Sequence, residues 1–296
     1  MTLGTALTSG DFAVTAELGA PLNPDCELVR ERARAFARVV HAANVTDNQA
    51  ASVKVSPLAC SVWMLEEGLE PILQLTTRDR NLLALQADML GAWALGVRSI
   101  LALSGDPLRV GSYESIATHV ADVDSLGLVR LAAGMNAGRL AAGETLDVPT
   151  GFLIFSAANP FLDSVERLEQ KLDAGVHGFQ TNIVYDVAHF AEWFAPLVEA
   201  GVPERAPVLV GVTPPRSTRM LQHLHDNIPG VEVDEATFQR MAGLAGEEAK
   251  AAGVEIAVDV IKQVRELPGV AGVHLMAPGW EAEAVPRVLD RAGVTV

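Results

Sequence analysis

The sequence is poor in positive charge. Its 296 residues include 22 Lys and Arg, only four of which are Lys, against 37 Asp and Glu, and the formal net charge is −15. Nucleic-acid backbones are bound through clustered Lys and Arg, and anionic membrane surfaces attract basic segments. The composition therefore predicts a protein that binds neither nucleic acid nor a membrane.

Cysteines and long uncharged runs are also scarce. The two cysteines, Cys26 and Cys60, provide neither a disulfide framework nor a CxxC metal site. The longest uncharged run, 148–162, falls short of the roughly 20 residues that span a membrane. The first residues, MTLGTALTSG, lack the basic start and apolar run of a signal peptide. We expect a cytoplasmic protein.

Several chemical motifs are missing as well. No two of the 25 glycines are spaced as GxG, so the dinucleotide fingerprint GxGxxG is absent, and no Lys follows a Gly as in a P-loop. His223 and His225 would face different sides of one helix, so no metal site is expected. Ser104 is not part of a GxSxG turn, which leaves nucleophilic hydrolysis without support.

Short apolar runs alternate with helical patterns from end to end. We predict eight strands, at Phe12–Leu18, His41–Thr46, Glu70–Thr76, Val97–Ser104, Thr150–Ala157, His177–Val184, Pro207–Thr213 and Val270–Ala277. Most are nearly continuous apolar runs, which is typical of strands buried on both faces of a parallel sheet. Five of the seven intervals fit one βα unit each, and the fourth and seventh are longer.

This pattern predicts an α/β fold, a single (β/α)8 TIM barrel. Residues 1–296 would form one catalytic domain, with extra helices after strands 4 and 7, near Val123–Ala142 and Asp234–Ala242. A doubly wound open sheet is the rival fold. It would normally carry the glycine fingerprint that is absent here.

Barrel active sites lie at the carboxyl ends of the strands, which selects a set of candidate residues. Glu17 follows an apolar strand, and desolvation there would raise its pKa towards that of a general acid working at neutral pH. Other polar residues near strand ends are Thr46, Asp47, Asn48, Gln49, Gln74, Ser104, Asp106, Ser156, Asn159, Gln180, Asn182, Arg216 and His274. Simpler interpretations remain open: Glu17 could pair with an Arg, Asp106 could be a turn residue, and Thr46 and Asp47 could cap a helix.

The combination of strand-end segments resembles one family. TAELGAP, ANVTDNQAA, EEGLEPILQLTTRDRN, LGVRSILALSGDP, FSAANPF, KLDAGVHGFQTN, GVTP and GVHLMAPGW occur in this order and cover nearly the whole chain. They resemble methylenetetrahydrofolate reductase, particularly the short bacterial form of one-carbon metabolism. The resemblance implies a barrel that holds FAD at its carboxyl face. Hydride would pass from NADH or NADPH through FAD to 5,10-methylenetetrahydrofolate, giving 5-methyltetrahydrofolate.

The resemblance also implies roles for individual residues. Glu17 matches the acid that protonates folate, and Asp106 matches an Asp near the flavin and the pterin. Asn182 stands where a Gln usually bonds the pterin. The cofactor would contact Thr46, Asp47, Gln74, Ser104, Gly105, Asp106, Ser156, Asn159 and, at its phosphates, Lys171. The substrate would contact Glu17, Gln180, Asn182, Arg216 and His274, and no residue is assigned to a metal.

The sequence departs from the familiar flavin-bearing pattern in several places. Ser104-Gly105-Asp106 replaces Arg-Gly-Asp, Thr46-Asp47-Asn48 replaces Thr-Tyr-Gly, and Asn159 replaces an aromatic residue. These changes remove a cation and a stacking ring from the cofactor site. Alternatives are therefore a flavin-independent reductase, or a folate-binding subunit with little activity alone. An unrelated barrel lyase or aldolase is a weaker alternative. We expect a homo-oligomer or a complex with a partner subunit.

Overall fold

Eight parallel strands form a closed barrel in a computed structural model that describes residues 1–296. Each strand pairs with the next in the chain, and the last pairs with the first. The strands are β1 Ala13–Leu18, β2 Ala42–Val45, β3 Glu70–Thr76, β4 Ser99–Leu103, β5 Leu153–Ala158, β6 Gly178–Ile183, β7 Val208–Val212 and β8 Val270–Leu275. The predicted (β/α)8 barrel is confirmed.

Helices surround the barrel, and most of them pack their apolar faces against the outer faces of the strands. They are α1 Leu3–Ser9, α2 Cys26–Phe36, α3 Pro57–Glu66, α4 Leu82–Ala94, α5 Ser125–Asn136, α6 Val165–Ala174, α7 Val187–Glu199, α8 Val202–Arg205, α9 Thr218–Asn227, α10 Glu235–Met241, α11 Gly246–Arg265 and α12 Glu281–Ala292. None of them is both long and apolar enough to cross a membrane.

The inside of the barrel changes from apolar to polar along its axis. Side chains alternate between inside and outside along each strand. At the amino end, the inward side chains form a small apolar cluster that α1 closes with Leu3 and Ala6. Nearer the carboxyl end, the inward positions of β1 carry Thr15 and then Glu17, two and four residues beyond Ala13. The amino end is thus plugged, and the carboxyl end is left to bind polar groups.

The observed elements differ from the sequence prediction mainly at their ends. Each strand lies within three residues of its predicted bounds. The extra length after β4 is not an additional helix, because 104–124 form a loop containing one short 3-10 turn, Leu108–Val110. Helix α5 also stops at Asn136, before Gly138 takes a left-handed φ of 75°. After β7, the predicted extra helix near Asp234–Ala242 is present as α10, Glu235–Met241, which lies between α9 and α11.

Candidate functional site

A polar cavity of about 350 Å³ opens at the carboxyl ends of the strands. This volume lies at the small end of the usual range for ligand pockets, about 300–1,000 Å³. Nine of the predicted site residues line the cavity: Glu17, Asp47, Gln74, Gly105, Asp106, Asn159, Gln180, Asn182 and His274.

Glu17 lies at the end of β1 and is partly exposed to this cavity. Burial raises the pKa of its carboxyl from 4.5 to about 7. Amide N–H groups of Gln74 and Gln49, 3.3 Å and 3.4 Å from the two carboxylate oxygens, offset part of this rise. The negative charges of Glu281 and Asp106 add to it. Such a carboxyl exchanges a proton near neutral pH, which is what general acid catalysis requires.

A buried layer of polar side chains lies beneath Glu17 inside the barrel. The amides of Asn44 and Gln180 donate to each other at 2.7 Å and 3.1 Å. Thr15 Oγ1 lies 2.9 Å from His274 Nδ1 and 3.4 Å from the Gln180 amide nitrogen. Burial lowers the pKa of His274 to about 3, so its imidazole is neutral at ordinary pH. The floor of the cavity is therefore uncharged and held rigid by hydrogen bonds.

Asp106 approaches the cavity from the loop after β4. Its Oδ2 accepts a 2.7 Å hydrogen bond from the Ala50 amide, which belongs to the loop after β2. Asn48, Ala50 and Ala51 all have positive φ, between 45° and 54°, a conformation that side chains other than glycine rarely adopt. Such strain persists only where surrounding contacts impose it, and it is common at functional sites.

The two residues of the Thr46-Asp47 pair are already engaged within the protein. Thr46 Oγ1 accepts the Ala20 amide at 2.9 Å. The Asp47 carboxylate is fully buried and binds Arg80 at 2.6 Å as well as the amide and hydroxyl of Thr76. Both side chains therefore hold neighbouring loops together, and the Asp47 carboxylate has both oxygens bound within the protein.

Five predicted site residues do not reach the cavity. Ser156 follows the inward-facing Phe155 and therefore points outwards. The Lys171 ammonium binds Asp163 at 2.9 Å and the Ala157 carbonyl at 2.8 Å. Arg216 lies on the rim, with its guanidinium beside Gly279. Thr46 and Ser104 also lie outside the cavity lining.

The sequence interpretation missed some residues that the structure brings to the site. Asn44, Thr181 and Met276 line the cavity. Asn44 could have been found, because it lies two residues beyond Ala42 on the same face of β2. Arg78 had no such signal: it follows β3 in a polar TTRDR segment, yet only 2% of its side chain is exposed.

The resemblance implies FAD, and the residues present can be compared with what FAD requires. Its diphosphate needs cations or free helix amino ends. Lys171, Arg78 and Arg80 are each bound to a carboxylate, at 2.9 Å, 2.7 Å and 2.6 Å. Helix α12 begins at a common anion site of such barrels, but its first turn carries Glu281 and Glu283.

The flavin ring also lacks a stacking partner, since no aromatic side chain lines the cavity. Phe161, two residues after Asn159, stacks on His189 instead, with ring centroids 4.1 Å apart. The lining of the cavity, which contains no Lys, Arg, Phe, Tyr or Trp, therefore does not fit a tightly held FAD. No group of three or more His, Cys, Asp or Glu side chains that could hold a metal ion occurs either.

The fold and the cavity together define a class: a (β/α)8-barrel protein with carboxylates and amides at the carboxyl ends of its strands. The chain belongs to the methylenetetrahydrofolate reductase family, because the family model of that description matches residues 2–293. The resemblance stated from the sequence is thereby confirmed.

Individual relatives are distant. Methylenetetrahydrofolate reductase 1 of Schizosaccharomyces pombe is 23% identical over 258 residues, which are 82% of this chain. The match covers 39% of that relative, so the chain spans about two fifths of its length.

Two solved structures show a similar fold. An uncharacterized protein from Clostridium thermocellum that binds two copies of 5-methyl-5,6,7,8-tetrahydrofolic acid has a TM-score of 0.69 at 14% identity, covering 98% of this chain and 99% of its own. An F420-dependent secondary alcohol dehydrogenase has a TM-score of 0.52 at 10% identity, covering 95% and 99%. At these identities the two structures support the fold alone.

Proposed function

We propose that the protein interconverts 5,10-methylenetetrahydrofolate and 5-methyltetrahydrofolate, with NADH or NADPH as the source of hydride. The observation that carries this proposal is Glu17, a carboxyl whose pKa burial raises to about 7 at a polar cavity of this family's barrel. The Clostridium thermocellum protein of similar fold binds 5-methyltetrahydrofolic acid, which supports a folate as the ligand.

In this proposal Glu17 is the acid. Its proton passes to N10 of the substrate, the bond from N10 to the methylene carbon breaks, and an iminium forms at N5. Hydride from the reduced nicotinamide adds to the methylene carbon, which becomes the methyl group, and water reprotonates Glu17. Asp106 would stabilise the positive charge on the substrate, while Gln180, Asn182 and the neutral His274 would form an uncharged wall beside the pterin.

FAD and the assembly remain predictions. The cavity lining, without a cation or a stacking ring, does not favour a resident FAD, and the proton step above uses only the chain's own residues. A homo-oligomer or a complex with a partner subunit is testable by light scattering of the purified protein, alone and after mixing with candidate subunits. A cytoplasmic location is likewise a prediction.

The test combines turnover with binding. We expect oxidation of NADH or NADPH that depends on methylenetetrahydrofolate, and loss of this turnover in Glu17→Gln with folate binding retained in calorimetry. Glu199→Gln, at the exposed end of α7, is the matched control. Folate binding without turnover in the wild type would favour the folate-binding subunit, and absence of folate binding would refute both functions.

A label distinguishes the hydride routes. With deuterium at C4 of the nicotinamide, direct transfer leaves the label in the methyl group, whereas a flavin N–H exchanges it with water. A visible flavin spectrum together with loss of label would assign the hydride to FAD.

A further inference from the structure

Arg78 is a buried cation that the proposed chemistry does not use. It follows β3 and lies among the loops at the carboxyl rim, yet only 2% of its side chain is exposed. Its Nε and Nη2 both donate to the Asp79 carboxylate at 2.7 Å. This planar two-bond pairing neutralises the charge locally, so the remaining N–H groups of the guanidinium are free to bind neutral acceptors.

Those acceptors are backbone carbonyls of two different loops. Arg78 Nη1 donates to the Asp106 carbonyl at 3.0 Å, and Nη2 donates to the Asn48 carbonyl at 3.2 Å. Asp106 belongs to the loop after β4 and Asn48 to the loop after β2. One guanidinium therefore joins the two loops that carry Asp106 and Gln49 to the cavity.

The backbone around Arg78 is packed closely enough to make this junction rigid. A Cβ on Gly105 would lie 3.2 Å from Arg78 Cβ and 3.0 Å from Thr76 Cβ, so the start of the β4 loop rests directly on the end of β3. The far end of the same loop also contacts the segment after β3. The amides of Val120 and Ala121 donate to the carbonyls of Arg78 and Thr77 at 2.9 Å and 3.2 Å.

The strained segment of the β2 loop depends on the same contacts. Asn48 and Ala50 have positive φ, and these residues flank Gln49, whose amide lies 3.4 Å from the Glu17 carboxylate. The Ala50 amide is bound by the Asp106 carboxylate, and Asn48 Nδ2 donates to Asp79 at 3.2 Å. Loss of Arg78 would remove the hydrogen bond to the Asn48 carbonyl and the one that fixes the Asp106 loop, which would let Gln49 move away from Glu17.

We propose that Arg78 is a positioning residue for the active site. By binding the Asn48 and Asp106 carbonyls, it keeps Gln49 in contact with Glu17 and keeps Asp106 at the cavity. This proposal rests on the proposed function for the meaning of Glu17 and Asp106. The charged groups that face Glu17 are Asp106 and Glu281, the latter paired with Arg32 at 2.7 Å. The Arg78 charge acts directly on Asp106 and also holds its loop, so a variant that keeps the charge is needed to test the loop contacts.

The first experiment follows the titration of the Glu17 carboxyl by carbon NMR without any substrate. In Arg78→Lys the charge remains but the planar fork is lost. We expect the pKa of Glu17 to rise by about half a unit or more, because the Gln49 N–H lowers it in the wild type. Arg98→Lys is the matched control: Arg98 also donates to two carbonyls, of Trp93 and Val97, but before β4, at the opposite end of the barrel.

The second experiment separates positioning from a general structural role. If Arg78 acts through Gln49, then Arg78→Lys should not raise the pKa of Glu17 further in a protein that already carries Gln49→Ala. If the two residues act independently, their effects on this pKa should add. Turnover should fall tenfold to a hundredfold in Arg78→Lys, the usual scale for a misplaced active-site group. Arg98→Lys should keep wild-type turnover and an unchanged Glu17 titration.

Should Arg78→Lys not fold, the double variant Arg78→Met/Asp79→Leu removes both charges and replaces them with apolar side chains. The proposal is overturned if Glu17 titrates as in the wild type in either variant, or if the Arg78 and Gln49 effects on it add. If the wild type shows no turnover, the proposed function is refuted but the positioning role of Arg78 is not, because the NMR titration of Glu17 needs no reaction.

Discussion

Replacing Glu17 by Gln should make the protein more stable at high pH while removing the proposed activity. Burial raises the pKa of Glu17 from 4.5 to about 7. The unfolded chain loses this proton at lower pH than the folded chain, so the fold carries an ionisation cost that begins above pH 4.5 and is complete above pH 7. At about 1.4 kcal/mol per pKa unit, the cost is about 3 kcal/mol at most.

The expected increase in the free energy of unfolding of Glu17→Gln is smaller than this limit of about 3 kcal/mol. The cavity leaves Glu17 partly exposed, and a Gln side chain accepts fewer hydrogen bonds from Gln49 and Gln74 than a carboxylate does. We therefore expect the variant to exceed the wild type by about 1–2 kcal/mol at pH 8. At pH 4.5 most of the difference should be gone, because Glu17 is then protonated in the folded chain and half protonated in the unfolded chain.

Urea unfolding of both proteins at pH 4.5, 6 and 8 measures this difference directly, and Glu199→Gln, exposed on α7, controls for the loss of one negative charge. The proposed general acid contributes about 10²–10⁴ to the rate, so turnover should fall by that factor in the same variant. Equal stability gains at pH 4.5 and pH 8 would refute the reasoning, since the benefit could not then come from the ionisation of Glu17.

Two further predictions concern other buried groups. Burial lowers the pKa of His274 to about 3, so the wild type should lose stability as pH falls below 6.5, where only the unfolded chain takes up this proton. Between pH 7 and 4.5, the free energy of unfolding of His274→Gln should fall by about 2–3 kcal/mol less than that of the wild type, as measured by urea unfolding. An equal fall in both proteins would show that another group takes up the proton. Lys171→Met removes the ammonium from the Asp163 carboxylate and the Ala157 carbonyl, and leaves the buried side of Asp163 with the Asn159 amide alone. The free energy of unfolding should fall by about 2–4 kcal/mol, and Lys171→Met/Asp163→Asn should recover part of it; a neutral single variant would contradict the pairing.

The strand positions were predictable because burial on both faces marks each strand as an apolar run. The same property hides which residues face inwards. In β5 the apolar residues around Ser156 do not alternate with polar ones, so the sequence does not show whether the Ser156 side chain points into the barrel or away from it. The structure turns Phe155 into the barrel and Ser156 away from it, which removes Ser156 from the site.

Glu17 could be found from the sequence because its position and its environment are both local. It ends an apolar strand, and the strand's own neighbours provide the burial that raises its pKa. Lys171 shows the opposite case. Its distance along the chain from β5 gave no indication that Asp163 and the Ala157 carbonyl would bind its ammonium.

The sequence by itself determined the eight βα units, the end of the barrel at which the polar residues collect, and the identity of the buried carboxyl at β1. These follow from hydrophobic patterning and from the direction of parallel strands. The tertiary structure decided how the few cations are used. Arg78 and Arg80 bind carboxylates and neighbouring loops, because loops that follow different strands meet only when the barrel closes. For that reason the shortage of positive charge, evident in the composition, became an argument about FAD only once the partners of Lys171, Arg78 and Arg80 and the lining of the cavity were known.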